Sequence, residues 1–253
     1  MTTIREGRGH GMSGETVALV TGANKGIGFE VARQLAGLGM SVLIGARDEE
    51  RGSRAEKTLR KESGNVRFVL LDVINPETVK KAVAWIEAEY GQLDILVNNA
   101  GIAGNFSGPP SEATADQMRE VFETNVFGVV AVTNAMLPLL RRSPAGRIVN
   151  MSSDLGSLTL NDGPGAAFAS VNLITYQSSK TALNAVTIAY AKELRETNIK
   201  VNAANPGFIA TDLNGHRGTR TPGQGAAIAV RLATLDCDGP TGTSQDDLGT
   251  VPW

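Results

Sequence analysis

Tyr176-Gln177-Ser178-Ser179-Lys180 sets a phenol and an ammonium four residues apart. The residues that follow, Thr181 to Leu194, carry Ala, Leu and Val at helical spacing, and positions i and i+4 of a helix share a face. An ammonium beside a tyrosine hydroxyl favours the phenolate, so the pair is expected to lower a pKa of about 10. That would make a general acid or base usable near neutral pH. A Tyr and a Lys at this spacing are also a common solvated surface pair, so the reading depends on what the other elements bring to them.

The apolar run Val17-Ala-Leu-Val-Thr21 reads as a buried parallel strand. It enters Gly22-Ala-Asn-Lys-Gly-Ile-Gly28 and then an amphipathic segment to Leu38. Strand, glycine turn and helix in that order form a phosphate cradle, because glycines admit a close approach and the helix N-terminus offers free N–H groups. A second strand, Ser41–Ala46, ends at Arg47, with Arg51 a turn later and Lys25 inside the glycine turn. In a dinucleotide fold a basic residue there takes a 2′-phosphate and an acidic one a 2′-hydroxyl. Three cations around one phosphate favour NADP over NAD; Arg51 is alternatively a surface charge.

The alternation continues with a strand from Val66 to Leu71 ending at Asp72, a helix from Pro76 to Tyr90, and a strand from Ile95 to Asn98 followed by Asn99-Ala-Gly101. Asn98 either borders the ligand or ties neighbouring strands, and both roles can hold. A long helical pattern covers 113–140 with Asn125 inside it; Asn is a poor interior helix residue and needs partners if buried. A fifth strand, Gly146 to Met151, has Ser152 and Ser153 at its carboxyl end, the edge where open parallel sheets collect ligands. Residues 154–175 lack clear periodicity and contain the breaker Gly163-Pro164-Gly165; so long an irregular segment usually serves a site or an interface. A sixth strand, Ile199 to Ala204, leads to Pro206-Gly-Phe-Ile-Ala-Thr211, a polar Gly-rich flap over 212–222, a helix from Gly225 to Thr234 and a short tail. The fold class is α/β: one Rossmann-type doubly wound parallel sheet of about seven strands over 14–253, preceded by a mobile tail over 1–13.

Thr21-Gly-Ala-Asn-Lys-Gly-Ile-Gly28, Asp72, Asn98-Asn-Ala-Gly101, Asn125, Ser153, Tyr176-x-x-x-Lys180 and Pro206-Gly207 with Thr211 occur in this order over about 16–212. Together they resemble the short-chain dehydrogenase/reductase family, and within it the NADPH-dependent carbonyl reductase branch. The resemblance implies four catalytic residues. Tyr176 would donate a proton to a carbonyl oxygen, and Ser153 would hydrogen-bond that oxygen. Lys180 would lower the Tyr176 pKa and hold the nicotinamide ribose, and Asn125 would hold a water that reloads the proton. NADP(H) would lie on Gly22, Asn24, Lys25, Gly26, Ile27 and Gly28, with Arg47 and Arg51 at the 2′-phosphate. Asp72 and Val73 would flank the adenine, and Asn98, Ala100 and Gly101 would border the ring system. Ile209 and Thr211 would contact the carboxamide, and Pro206 and Gly207 would also border the cofactor. Ser152 is the rival for the serine role. The implied reaction is reduction of a ketone, aldehyde or quinone, with oxidation of a secondary alcohol or steroid as the alternative and a non-catalytic NADP sensor as a remote one. Ile102, Phe106, Leu155, Phe168, Phe208 and Leu213 are candidates for an apolar pocket or for ordinary packing.

Bulk properties agree with an enzyme of this size: 253 residues, 42% hydrophobic and 20% charged, net charge -2. A chain without basic excess is not expected to bind nucleic acid or an anionic membrane. No apolar run of roughly 20 residues is apparent, the lone Cys237 suits a reducing compartment, and 1–15 is polar rather than a secretory signal. A cytoplasmic protein without a metal site is therefore expected, since His10 and His216 both fall in segments read as mobile. The gap from Ser153 to Tyr176 exceeds that of most family members, and the extra residues would cover the helices that many of them use to form tetramers. The chain is accordingly predicted to be a monomer, with light scattering returning the mass of one chain; a stable tetramer would contradict this.

Overall fold

Continuous apolar runs demand a sheet covered on both faces, and the computed structural model has that form. It describes residues 15–253 apart from Ser107 and Pro164, so the tail expected over 1–13, with His10, and the centre of the Gly163-Pro164-Gly165 breaker lie outside the described residues. Seven parallel strands, β1 (Val17–Thr21), β2 (Ser41–Ala46), β3 (Val66–Leu70), β4 (Ile95–Asn98), β5 (Arg147–Met151), β6 (Lys200–Ala204) and β7 (Ser244–Gln245), pair in the order 3-2-1-4-5-6-7. Alternate residues face opposite ways. Ala18, Val20, Val42 and Ile44 pack under α1 (Gly26–Gly37), α2 (Glu49–Leu59) and, further along the chain, a helix at Pro222–Ala233. Val17, Leu19 and Leu43 pack on the other face under α3 (Pro76–Tyr90) and two later helices, Gly128–Leu140 and Ile174–Glu193.

Local chemistry sets the helix ends. Asn75 caps α3 through Glu77 N, Pro76 opens its first turn, and Gly91 closes it at φ 74. The long helix expected over 113–140 starts after the Thr114–Gln117 capping box as α4 (Ala115–Phe122). A π turn, Glu123–Phe127, follows, and the helix resumes as α5 (Gly128–Leu140). By length and composition the helical run Ala115–Leu140 is long and apolar enough to cross a membrane, but half of its qualifying 18-residue window is buried here, and Val132, Met136 and Leu139 belong to the core. Within 154–175 lie a 3-10 turn, Asp154–Gly156, and a one-turn helix α6 (Leu158–Asn161), each capped by a serine, Ser153 and Ser157. After α7 (Ile174–Glu193), the last helix α8 (Pro222–Ala233) starts three residues before the expected Gly225, on a Thr221–Gln224 capping box and Pro222.

Asn98 ties strands together. Its Nδ2 donates to Asn150 Oδ1 on β5 at 2.9 Å and to Thr133 Oγ1 on α5 at 3.0 Å, and Asn150 Nδ2 reaches Thr187 on α7 at 2.9 Å. All four side chains are buried, so the bonds are made where no water can replace them. Asn98→Ala is expected to lower stability by about 2 kcal/mol, because it orphans Asn150 Oδ1. Urea denaturation measures this, and an unmoved midpoint would show that the chain of amides is dispensable.

Candidate active site

The order of strands reverses between β1 and β4, which opens a crevice at their carboxyl ends. Gly22 (φ 64) and Gly26 (φ 58) make the turn that borders it. A Cβ on Gly22 would stand 2.9 Å from Ala100 Cα, and one on Gly28 would stand 2.3 Å from Asn99 Nδ2. That amide donates to Thr21 O at 2.8 Å and Gly22 O at 3.2 Å, while Thr21 Oγ1 accepts from Asn99 N and Ala100 N, both at 3.0 Å. The glycine turn is thereby stitched to the end of β4, and the N-terminus of α1 faces the crevice with no side-chain cap and no acidic residue in its first turn. Asn24 and Ile27 lie in this turn half-buried. The cradle fits a dinucleotide pyrophosphate.

Of the three cations expected at the 2′-phosphate, Arg47 alone is exposed and without an ion pair among the described residues. Asp48, the adjacent acid, is turned away: its carboxylate caps α2 through Arg51 N at 2.9 Å and holds the Arg51 guanidinium at 3.5 Å. Lys25 Nζ meets Asp212 Oδ2 at 2.5 Å. Asp212 and Asp48 thus hold two of the three cations expected there. Asp72 Oδ1 accepts from Ile74 N at 3.2 Å in a local turn. Val73 is buried in the core, and a Cβ on Gly128 of α5 would stand 2.8 Å from its side chain.

Residues of α7 and β5 meet at the same edge. Lys180, 5% exposed, donates to Met151 O at 2.7 Å, with its Nζ 5.5 Å from the centroid of the Tyr176 ring. Ser152 is turned away, buried and donating to Asn184 Oδ1 at 2.6 Å. Ser153 instead stands beside the Tyr176 phenol and accepts from Leu155 N at 3.2 Å. Asn125, fully buried in the π turn, accepts from Ile102 N at 2.9 Å and donates to Ile102 O at 2.8 Å and Ser179 Oγ at 3.0 Å. A Cβ on Gly101 would lie 3.3 Å from Asn125 Oδ1 and 3.7 Å from Lys180 Nζ, so these groups share one small space. π turns recur at functional sites.

Burial governs the titration of the pair. It pushes the Tyr176 phenol up to about 12, with the Ser153 hydroxyl opposing and the Asp154 charge reinforcing, and it pulls Lys180 down to about 8. The expected lowering of the phenol's pKa by Lys180 is not among the causes of this shift: the ammonium is directed at the Met151 carbonyl, and burial sets the direction. A protonated phenol at neutral pH is a donor, not a base. Asp154 carries a second anomaly: its Oδ1 is buried without a partner among the described residues, and burial, then the charge of Asp246, pushes its carboxyl up.

The segment after β6 forms the opposite wall. Gly207 (φ 79) sits beside Arg220, whose Nη1 donates to Pro206 O at 2.7 Å. Ile209 is buried, and Ala210 N bonds Arg220 O at 2.9 Å. Asn214 Nδ2 bonds Ile209 O at 2.8 Å, and His216 N bonds Thr211 O at 2.9 Å. The flap expected over 212–222 is thus bonded to the segment that precedes it. Phe208 (53%) and Leu213 (44%) are exposed apolar residues, whereas Ile102, Phe106, Leu155 and Phe168 are half-buried. Residues 154–161 lean on α7: Thr181 Oγ1 and Asn184 Nδ2 donate to Gly156 O, and Gln177 Nε2 donates to Asn161 Oδ1. A Cβ on Gly156 would come 2.8 Å from the Lys180 backbone. Asn99, Gly156 and Ser179 position the site and were not assigned from sequence. Only Asn99, adjacent to Asn98 and part of the same motif, carried a signal.

With that geometry in place, comparison with known proteins is informative. The short chain dehydrogenase family model matches residues 16–221. The short-chain dehydrogenase anuI of Penicillium roqueforti is 39% identical, over 86% of this chain and 88% of that protein. The NADPH carbonyl reductase 1 of Rattus norvegicus is 34% identical, over 95% and 99%. The NADPH-bound carbonyl reductase from chicken fatty liver superposes with a TM-score of 0.82 at 28% identity, over 94% of this chain and 99% of that one.

In the protein without ligand, the phenolate absorbance of wild type minus Tyr176→Phe is expected to rise only near pH 12. Lys180→Met is expected to leave that midpoint in place. A midpoint at or below about 10, the ordinary value, would show that the ammonium outweighs burial.

Proposed function

Because the chain belongs to the short chain dehydrogenase family of oxidoreductases, we propose that it is an NADPH-dependent reductase of ketones, aldehydes or quinones. The observation that carries this is the half-buried Tyr176 phenol beside Ser153 at the end of β5, with Lys180 Nζ 5.5 Å from its ring centroid, next to the crevice that the glycine turn borders. Arg47 supports the choice of NADP, since it is the exposed cation at the end of β2 and the neighbouring acid Asp48 is engaged as a helix cap. The dinucleotide, bound in this crevice, supplies the hydride.

The chain's own residues would do the rest. Ser153 and Tyr176 would both donate to the carbonyl oxygen, and their bonds strengthen as negative charge develops there. Tyr176, which holds its proton at neutral pH, would then pass it to that oxygen as the oxygen becomes an alkoxide, a stronger base than the phenolate. Lys180 has three N–H donors, of which one is directed at Met151 O; the others would hold the nicotinamide ribose. The amide of Asn125 is committed to Ile102 and Ser179, so a water relay here would draw on backbone groups of the π turn. Phe208 and Leu213 supply exposed apolar surface next to Ile209 and Thr211, which suits a bulky apolar carbonyl.

Consumption of NADPH and NADH over a panel of ketones, aldehydes and quinones tests the proposal. Turnover with NADPH is expected to fall about a hundredfold or more in Tyr176→Phe. Arg47→Ala is expected to erode the preference for NADPH about tenfold or more. Preference for NADH in the wild type would overturn the cofactor assignment. Tight NADPH binding without turnover of any carbonyl, or of alcohols with NADP+, would favour a sensor.

A further inference from the structure

Lys25 and Asp212 come from opposite walls of the crevice, and their ion pair is the contact that joins the walls at the glycine turn. Lys25 is the residue before α1, extended at φ -164, and its side chain makes no capping bond. Ala23 N bonds Gly45 O at 3.1 Å, which sets the turn against the end of β2, two residues before Arg47. Lys25 and Arg47 therefore stand on the same rim. Asp212 follows Thr211, whose methyl would lie 3.6 Å from a Cβ on Gly26. Its two carboxylate oxygens are divided: Oδ2 takes Lys25 and Oδ1 takes His216 Nε2 at 2.8 Å. The carboxylate is thus held on Lys25 from one side while the excursion behind it is stitched to Ile209 and Thr211.

We propose that Asp212 is a cofactor-selectivity residue: by holding Lys25 it competes with a 2′-phosphate for that ammonium, and so limits how strongly NADPH is preferred to NADH. The inference rests on the NADP reading above. A phosphate monoester carries about -1.5 to -2 charges at neutral pH. To engage Lys25 it must displace Asp212, and until it does so it meets an ionised carboxylate. A 2′-hydroxyl at the same place neither needs the ammonium nor is repelled. The handicap thus falls on NADPH alone. It is modest, because both partners of the pair have side chains 55% exposed and solvent-exposed ion pairs are weak. The carboxylate is present to compete at neutral pH, since the Lys25 hydrogen bond, followed by the Lys25 charge and the His216 bond, holds Asp212 below its ordinary value.

Equilibrium binding of NADPH and NADH, read by calorimetry or by fluorescence of the bound nicotinamide, separates the outcomes in wild type, Asp212→Asn, Lys25→Met and the double variant. Asp212→Asn is expected to tighten NADPH by up to about fivefold and to leave NADH unchanged. In the Lys25→Met background the same substitution is expected to change neither, which marks the effect as transmitted through Lys25. The inference is overturned if Asp212→Asn leaves NADPH unmoved or weakens it, tightens both dinucleotides alike, or tightens NADPH equally without Lys25. Arg47→Ala keeps the two readings apart. A wild-type NADPH preference that falls in Arg47→Ala but ignores Asp212→Asn defeats the selectivity role alone, whereas a wild type that prefers NADH defeats the NADP reading and this inference with it.

Discussion

A parallel sheet built from largely apolar strands must be covered on both faces, and its connections must cross over to do so. The remaining organisation follows from that constraint. Where the order of strands reverses between β1 and β4, the crossovers depart in opposite directions and leave an uncovered crevice at the carboxyl ends. The glycine turn, the Ser153 edge of β5 and the Pro206–Thr211 segment after β6 all open onto that end of the sheet. Chemistry collects there because it is the one place where the cover is incomplete while strand ends hold backbone and side chains rigidly.

Rigidity at that edge comes from buried amides and hydroxyls rather than from surface charge. Asn98 and Asn150 link β4, β5, α5 and α7; Asn99 and Thr21 lock the glycine turn; Ser152 and Asn184 fix the end of β5 to α7; Asn125 holds both backbone groups of Ile102. Each is a satisfied polar group in a low-dielectric interior, where geometry is specified sharply because the alternatives leave groups unpaired. The surface ion pairs, by contrast, join exposed side chains and carry little stability. Lys180 belongs to the first class although it is charged, since burial has already drawn its pKa to about 8 and its ammonium is directed at one carbonyl.

The strands from β1 to β6 were legible as short, largely apolar runs that end at turn residues, and α3 has the limits Pro76–Tyr90 expected from Pro76 in its first turn. The π turn announced itself only as an Asn in a helix interior. What was not legible depends on partners distant in the chain. β7 is two residues long, too short for a period, and exists by pairing with Ala203 and Ala204. Lys25 and Asp212 lie 187 positions apart, so nothing local marked the lysine as engaged. The direction of the Tyr176 shift needed the degree of burial, and the role of Gly156 needed the approach of the α7 backbone. Local spacing placed the groups, and three-dimensional packing decided their state.

The π turn at Glu123–Phe127 sets a limit on how this chain can diverge. It holds one residue more than the α-helical path around it. Forcing the same residues into regular α-helix would rotate everything on its N-terminal side by about 100° about the axis. Val121, now fully buried, would swing away from the core, and the Asn125 amide would leave Ile102. A single extra residue thus acts as a phase adjustment between two helices whose apolar faces are otherwise out of step. Length variation should be tolerated in the irregular stretch over 162–173 and, within this apparently ordinary helix, only at the turn that can absorb one residue.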